Sequence, residues 1–567
     1  MDSLSSLLSL SPYSRSKNNQ PSIPQNKRHG VNYVSCRASN GENYQNPQAG
    51  GDSVSKFDRR DVLFGLGGLY GVTTLGSNKF ALAESSLSPD VRNCGPAKTP
   101  AGEMDCCPPK INRIIDFTPP IIPKLQVRPA LQFVTPKQLE DLQRGIEILK
   151  NLKPDDPRNF YQQAKVHCAY CDHAYKQVGS DPQTDFQVHF NALFFPFHRA
   201  YLHFFERILR HFIGDPNFAL PFWNWDAPIG MHMPIYYNHN PNSSLYDENR
   251  DPRHKAPKVL DLNYDGTTEN PPYNVVDCNL RWMNKQMSVK TNRKFLGKVI
   301  KVGETAVYDD SGTIEKSPHN NVHDWVGDPN NPNGEDMGVF YSAARDPIFY
   351  AHHANVDRMW NIWQKMNNDK KHYSDPDWLN SSFVFYDERK NAVRIKVSDC
   401  LDSENLGYVY EDVDIPWLHT KQIPRNKKTK DEPQPPIINF PQILNSAITT
   451  MVERPSVEEP KDNEEEVLVI EDVVYDPTLR LHFNVLVNVL DDGDDVCPGN
   501  VEFVGSFKNI PHGLKHQDKT SLRFVLTEVI EMLGLKDAQK LAVKIVPKTG
   551  GDQISIGGIK IQIEPVE

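Results

Sequence analysis

The chain of 567 residues is longer than one domain of ordinary size, so we expect two or three domains. Its composition, 38% hydrophobic and 24% charged, is typical of a soluble globular protein, and its formal net charge of −10 argues against nucleic-acid binding, which normally requires a basic face. After the N-terminal region no apolar run approaches the roughly 20 residues that span a bilayer, so we expect no membrane anchor in the mature protein.

The segment 1–83 has the features of a two-part targeting sequence. Residues 1–57 are rich in serine and basic residues and poor in acidic ones, which is typical of an organelle transit peptide; a disordered tail without a targeting role is the alternative. Twin arginines at 59–60 then precede a short apolar run and an Ala-Leu-Ala site at 81–83, the pattern of a twin-arginine signal. The two signals in series predict import into the chloroplast, transfer to the thylakoid lumen, and a mature chain that begins at Glu84.

Five of the nine cysteines lie close to the start of this mature chain. Cys94, Cys106 and Cys107 lie in a stretch rich in proline and glycine, and Cys168 and Cys171 follow nearby. A loop region of this kind is typically held by disulfides in an oxidising compartment. Since adjacent cysteines cannot easily pair with each other, Cys106 and Cys107 are expected to have separate partners.

The region 84–419 is predicted to be a helical bundle with long loops. A helical period follows Thr135, a suitable N-cap, and predicts a helix over 136–150. Further helical segments are expected around 157–175, 193–212, 317–325 and 346–366. The stretches between them are long and rich in Asn, Pro, Asp and Gly, so we expect a mainly α fold with an irregular outer layer.

The rest of the chain has a different character. Residues 420–465 are charged, rich in proline and weakly periodic, which predicts an exposed linker. Alternating apolar residues follow, and they predict that 466–567 form a small β-sandwich. Within this region the amphipathic stretch Leu522–Leu535 is predicted to be a helix.

Histidines in aromatic surroundings are the main chemical signal. His319 and His323 are spaced to share one face of a helix, and His353 follows in a segment rich in aromatic residues. His167 begins the sequence His-Cys-Ala-Tyr-Cys, and two more flank an apolar segment. One buried histidine is usually a core residue bonded to a carbonyl, but six such residues on several helices indicate a metal site. Imidazole ligands suit copper, which cycles between Cu(I) and Cu(II), although ligand type alone does not exclude zinc.

With these histidines and their flanking sequences, the chain resembles the plant polyphenol oxidases, the catechol oxidases and tyrosinases of the type-3 copper family, over nearly its whole length. The resemblance implies two copper ions, phenolic substrates and dioxygen, with o-diphenols oxidised to o-quinones and hydroxylation of monophenols left open. It implies that the second member of the pair His352-His353 is the ligand. The implied ligands of the first copper and then the second are His167, His189, His198, His319, His323 and His353.

The resemblance also implies covalent bonds near the first copper. Cys171 would form a thioether bond with His189, which would stiffen that ligand. The implied disulfides are Cys94–Cys107 and Cys106–Cys168.

Four more positions match residues near the copper centre of the family. Phe340 resembles a gate whose ring overhangs the second copper, and Glu315 resembles a carboxylate that holds a water molecule. Asn320 could orient that water to deprotonate a monophenol, and Asp324 could attract phenols that carry an amine. An ordinary core aromatic, or a polar residue on a helix surface, is the alternative at each position.

The domain order implies a latent enzyme. The region 84–419 would be the dicopper catalytic domain, and 466–567 would cover its entrance until a protease cuts the linker. An apolar side chain within 504–510 is expected to plug the site. Three alternatives remain open: a specialised biosynthetic phenol hydroxylase or oxidase, a haemocyanin-like oxygen carrier, and a catalytically silent storage protein.

Overall fold

A computed structural model describes residues 86–267, 271–368, 372–425, 434–455, 461 and 463–566. The predicted targeting segment 1–83 and the predicted start at Glu84 lie outside the described residues. We call residues 86–425 the helical region and residues 434–566 the C-terminal region. No helix in the described ranges is long and apolar enough to cross a membrane.

The helical region is built around long helices that the sequence pattern predicted. The first begins after Thr135, whose side chain accepts from the Gln138 backbone N–H while the Gln138 side chain accepts from the Thr135 N–H. This capping box satisfies two amide groups that a helix start leaves free. The helices are α1 Pro136–Asn151, α2 Phe160–Cys171, α3 Phe194–Ile213, α4 Ile235–Asn238, α5 Val275–Met287, α6 Asn292–Leu296, α7 Asn320–Val326, α8 Ile348–Met366 and α9 Pro376–Asn380.

Buried charges join α3 to α8. Arg199 Nε donates to Asp357 Oδ1 at 2.6 Å, and the hydroxyls of Tyr408 and Tyr410 both donate to Asp357 Oδ2 at 2.6 Å. A buried carboxylate needs such partners, since burial without them is strongly unfavourable. The network therefore fixes α3 and α8, which carry His198 and His353, relative to each other. Through Tyr408 and Tyr410 it also holds the end of the helical region against these two helices.

Short strands lie at both ends of the helical region. They form a hairpin, a three-stranded sheet in the order β3-β6-β5, and the parallel pair β4-β7. A mainly α fold was expected, and these strands are an addition to it. Their bounds are β1 Ala97–Thr99, β2 Gly102–Met104, β3 Ile114–Asp116, β4 Gln126–Arg128, β5 Ser382–Tyr386, β6 Ala392–Lys396 and β7 Tyr408–Tyr410.

The C-terminal region contains two antiparallel sheets. One has the order β13-β10-β15-β8, with β16 also paired to β10, and the other has the order β12-β11-β14-β9. A helical core followed by a β-rich C-terminal region is therefore confirmed. The bounds are β8 Gln442–Ile443, β9 Ile448–Glu453, β10 Glu464–Tyr475, β11 Leu481–Val487, β12 Phe503–Asn509, β13 Asp518–Val525, β14 Lys540–Thr549, β15 Ser555–Ile556 and β16 Gly558–Pro565.

Two predictions for this part of the chain are wrong in detail. The linker predicted over 420–465 contains β8 and β9, whose alternating burial over Ile448–Glu453 shows that this segment is a strand of the sheet. The helix predicted over Leu522–Leu535 is shorter than expected: its first four residues belong to β13, and the helix α10 covers Thr527–Met532. Pairing of β13 with β10 outweighs the amphipathic pattern, since strand preference depends on such partners.

Candidate metal centre

The first histidine group comes from three separate segments. His167 lies on α2, His198 lies on α3, and His189 lies in the loop before α3. Their ring centroids are 5.3 to 5.8 Å apart, and all three side chains are almost completely buried. One ligand atom from each ring lies within 4.8 Å of the others, so the group can hold one metal ion.

The second group lies on two helices and the turn before one of them. His319 ends the π-helical turn Glu315–His319, His323 lies on α7, and His353 lies on α8. The Nε2 atoms of His323 and His353 are 3.2 Å apart, and the His319 and His323 rings are 4.6 Å apart. His352 lies within the same group, although its Nδ1 accepts a hydrogen bond from the Trp225 indole at 3.1 Å.

The two groups face each other. The rings of His198 and His353 are stacked with centroids 4.2 Å apart, and those of His189 and His319 are 6.1 Å apart. Both groups are enclosed by Phe194 and Phe349, whose rings contact histidines from each group. The arrangement provides two adjacent metal positions in an apolar enclosure.

Hydrogen bonds orient the imidazoles for metal binding. Nδ1 of His167, His198 and His323 lies 2.8 to 3.2 Å from a backbone carbonyl oxygen, which can only accept. Nδ1 must therefore carry the proton, and Nε2 keeps its lone pair. Among the described residues, no partner binds Nε2 of His167, His198 or His319. Burial also lowers the pKa of His198 to about 3 and that of His323 to about 4, so the rings are neutral, as metal ligands must be.

These unpartnered nitrogens fit two copper ions. Every member of both groups is a histidine, and neutral imidazole without a carboxylate suits a metal that changes oxidation state. Three ligands per ion leave coordination positions open for dioxygen or substrate.

Glu315 and Asn320 lie beside the second group and are both buried. Glu315 Oε1 accepts from the Phe190 N–H at 2.6 Å, while Oε2 has no partner in the described chain. Burial raises the pKa of Glu315 to about 8. Asn320 Oδ1 lies 3.0 Å from His319 Nδ1, and its amide nitrogen donates to the Lys508 carbonyl at 3.4 Å. Asn320 therefore contacts a histidine and the C-terminal region at once.

Asp324 was predicted to lie near the entrance, and its side chain is buried under the C-terminal region. It forms salt bridges with Arg480 and Lys508, and it is 1% exposed. Burial acts to raise its pKa, but these two cations outweigh that effect and hold the pKa below its usual value. In this arrangement the carboxylate cannot meet a substrate.

Phe340 contacts the first histidine group rather than the second. Its ring is stacked on His189 with centroids 4.4 Å apart, and its carbonyl oxygen accepts from His167. No described ring of the second group contacts it. The resemblance implied a ring over the second copper, whereas the observed ring contact is with a histidine of the first group.

His512 completes this stack and was not identified from the sequence. It lies after β12, just beyond the stretch 504–510 where a plug was expected, and its ring is stacked on Phe340 at 5.1 Å. The Pro511 carbonyl accepts from the Phe340 N–H at 3.3 Å. The apolar plug expected within 504–510 stays a prediction. A lone histidine in a turn gives no pattern that would have marked it.

Disulfides connect distant parts of the described chain. They join Cys94 to Cys107 and Cys106 to Cys168, the pairing that the resemblance implies. A third, Cys278–Cys497, was not anticipated, and it joins α5 to the loop before β12. Cys171 is buried at the end of α2 without a disulfide, and its thioether bond to His189 stays a prediction.

The fold and the site together define a dinuclear copper oxidoreductase. The common central domain of tyrosinase matches residues 157–366, the polyphenol oxidase middle domain matches 372–422, and the chloroplastic polyphenol oxidase C-terminal domain matches 440–563. The chain belongs to the polyphenol oxidase family.

Three similar proteins illustrate this membership. Chloroplastic polyphenol oxidase of Malus domestica is 45% identical over 98% of this chain and 96% of its own length. Chloroplastic (+)-larreatricin hydroxylase of Larrea tridentata is 42% identical over 99% of both chains. The structure of latent apple tyrosinase is 44% identical, covers 80% of this chain and 100% of its own, and has a TM-score of 0.73.

Proposed function

We propose that the protein is a latent polyphenol oxidase that oxidises o-diphenols to o-quinones with dioxygen. The observation that carries this proposal is the pair of facing histidine groups beneath the stacked rings of Phe340 and His512. Among the described residues, the Nε2 atoms of His167, His198 and His319 have no partner. When bound, the two copper ions supply the redox chemistry that moves electrons from the phenol to dioxygen. The enclosing aromatic residues exclude water from this reaction.

The side chains around the histidines would handle protons and substrate. Glu315 Oε2 has no partner among the described residues, so it is free to hold a water molecule or a proton. Asn320 would orient that water during hydroxylation of a monophenol. Asn320→Ala that leaves the monophenol-to-diphenol rate ratio unchanged would remove this role.

Latency would follow from the contacts of the C-terminal region. The ring of His512 occupies the space above Phe340, and Arg480 and Lys508 neutralise Asp324. We propose that the two C-terminal sheets pack as a sandwich that covers the copper centre, and that a protease cuts the linker to uncover it. Among the described residues of the predicted linker, 420–425 and 434–441 form no strand, and 426–433 lie outside the described residues.

Removal of the cover would give Asp324 its predicted role. Without Arg480 and Lys508 its carboxylate becomes available to the ammonium group of a phenolic amine.

The proposed location is the thylakoid lumen of the chloroplast; the chloroplast part is supported by relatives that are named chloroplastic.

Oxygen uptake tests the proposal. Copper-loaded protein is assayed with catechol and with tyramine, before and after linker cleavage. Uptake that rises on cleavage supports a latent oxidase, and uptake with tyramine adds hydroxylation of monophenols. No uptake despite two bound coppers would favour the oxygen carrier instead.

A second candidate is a biosynthetic enzyme for one specialised phenol. It is favoured by the relative named (+)-larreatricin hydroxylase, which is as similar to this chain as several general polyphenol oxidases are. A strong preference for one bulky phenol over catechol in the cleaved enzyme would support it.

A further inference from the structure

A cavity of about 260 Å³ lies between the helical region and the C-terminal region, and we call it the interdomain cavity. One side is formed by α5 and the segment 308–317, and the other by β10, β12, β13 and the end of β16. No histidine of the copper centre lines it. A ligand there would touch both regions without touching the metal site.

Aromatic rings from both regions line the cavity. Trp282 and Tyr308 come from the helical region, and Phe524 comes from β13. The Trp282 indole is fixed in place, since its N–H donates to Ser317 Oγ at 3.0 Å and its ring meets Phe503 edge-on at 5.2 Å. Flat, immobile walls of this kind suit a flat aromatic ligand.

The charge of the lining favours an anion. Its acidic groups are already engaged: Glu465 with Lys294, and Asp309 with Lys316 and Arg523. Cationic groups outnumber acidic ones by five to three, a net charge of +2. The cations are Lys285, Arg293, Lys294, Lys316 and Arg523, and the acids are Asp309, Glu465 and Glu564.

Lys285 is the cation best placed to bind such an anion. Its Nζ donates to the carbonyls of Phe503 and Val504 at 3.1 Å, and within the described ranges no carboxylate forms a salt bridge with it. The Trp282 ring, 5.6 Å from Nζ, and the more distant carboxylate of Glu528 also favour its charged form. Burial lowers its pKa to about 8, and a carboxylate beside it would raise the pKa again by favouring the charged form.

Ser311 provides an independent sign of a missing ligand. Its side chain is 4% exposed and lines the cavity, yet its hydroxyl has no hydrogen-bond partner among the described residues. Buried hydroxyl groups normally have one. A ligand oxygen in the cavity would give this hydroxyl a partner.

We propose that the interdomain cavity binds a small aromatic carboxylate. Because the lining comes from both regions, the ligand would bind only while they are in contact, and it would stabilise that contact by linkage. At a concentration 100 times its dissociation constant, the ligand would lower the population of separated regions about 100-fold.

Calorimetric titration of the uncleaved, copper-loaded protein tests the binding. The probe is cinnamate, which has an aromatic ring and a carboxylate but no phenol hydroxyl for the copper centre to oxidise. We expect one site per chain. Cinnamyl alcohol should bind at least about tenfold more weakly, because it lacks the carboxylate and its charge-assisted hydrogen bond. Hexanoate should also bind at least about tenfold more weakly, because it lacks the ring and its contacts.

Two variants locate the site. Lys285→Gln should weaken cinnamate binding about tenfold, while Lys290→Gln, on an exposed lysine five residues later, should leave it unchanged. Ser311→Ala should also weaken binding, and it removes a hydroxyl without a protein partner, so folding is preserved. Cinnamate should slow amide exchange in β12 and β13 of the parent but not of Lys285→Gln.

The proposal is overturned if cinnamate does not bind, if it binds no better than cinnamyl alcohol, or if neither Lys285→Gln nor Ser311→Ala weakens it. The last result would place the ligand elsewhere, for example at the copper centre. None of these readouts measures phenol oxidation, so failure of this proposal leaves the proposed activity untouched.

Discussion

The ring of His512 lies 5.1 Å from that of Phe340, with 22° between their planes, and Phe340 is itself stacked on the copper-binding candidate His189. A residue of the C-terminal region thus continues a column of rings that begins at the metal centre. Whether the C-terminal region covers the site should therefore decide whether a substrate can reach it.

Replacing His512 by alanine should partly activate the uncleaved enzyme. Loss of one ring stack is worth about 1 kcal/mol, which changes the balance between covered and uncovered forms about fivefold. Oxygen uptake with catechol measures the change. His516→Ala, which alters an exposed ring in the same loop, is the control and should leave uptake at the parent level. Equal uptake in both variants would show that His512 does not block the site.

Acid should activate the uncleaved enzyme through the same residue. Burial lowers the pKa of His512 below its usual value of about 6.5. The covered form therefore favours neutral His512, and its stability is complete above pH ~6.5 and decreases as the pH falls towards the lowered pKa. Asp518 opposes this shift, whereas His516 and the neighbouring His173 favour it.

His512→Phe separates this effect from other titrations. It keeps a ring against Phe340 but cannot be protonated, so its uptake should rise less below pH 6.5 than that of the parent. An unchanged pH profile would assign acid activation to another group.

The disulfide Cys278–Cys497 should keep the C-terminal region attached after linker cleavage. A cut within 426–433 separates the chain into two parts that this bond still joins. On a denaturing gel the cut protein should run as one species without reductant and as two with it. Cut Cys497→Ser should separate without reductant; a single band would mean that the cut lies elsewhere or that the chain is intact.

Asp324→Asn should destabilise the contact between the regions. It leaves Arg480 and Lys508 buried without their counter-charge, and removal of one partner from a buried ion pair costs about 3 kcal/mol. Uncleaved Asp324→Asn should therefore show higher uptake with catechol than the parent. Asp414→Asn, at an exposed position, serves as the matched control.

The same variant in a cleaved Cys497→Ser background, where no disulfide holds the C-terminal region, gives a second measurement. If Asp324 attracts phenolic amines, cleaved Asp324→Asn should lose the parent's preference for tyramine over an uncharged phenol. An unchanged preference would remove the proposed role in substrate selection and leave only the role in the contact.

His353→Ala should lose one copper ion, and His352→Ala should retain two. The Nε2 of His353 lies next to that of His323, whereas one nitrogen of His352 already accepts from Trp225. Copper content, measured by atomic absorption on each purified variant, decides between them. One copper in His352→Ala and two in His353→Ala would reverse the ligand assignment.

Local patterns predicted the parts of the fold that local energetics decide. Thr135 and the periodic residues after it define α1, because capping and apolar spacing act within a few residues. The histidines were visible because their imidazoles lie among aromatic residues. The end of β13, residues 522–525, was predicted to be the start of a helix, because the stabilisation of this strand comes from β10, about 50 residues away in sequence.

The contacts between the two regions could not be predicted in the same way. His512, Lys508 and Arg480 act on residues of the helical region that are more than 150 positions away in sequence. Each is an ordinary residue of a turn or strand in its own surroundings. The role of each depends on which residues of the helical region it contacts, and the periodicity of its own segment does not predict those contacts.

The disulfide Cys278–Cys497 has a further consequence for inhibition of the enzyme. A blocking group on a separate molecule is displaced once substrate outnumbers it, but a blocking group held by a short tether acts at an effective concentration of about 1 mM or more. His512 remains such a neighbour even after the backbone is cut. Proteolysis alone would then only loosen the contact of His512 with the site. For substrate to bind without competition from His512, the disulfide would also have to be reduced.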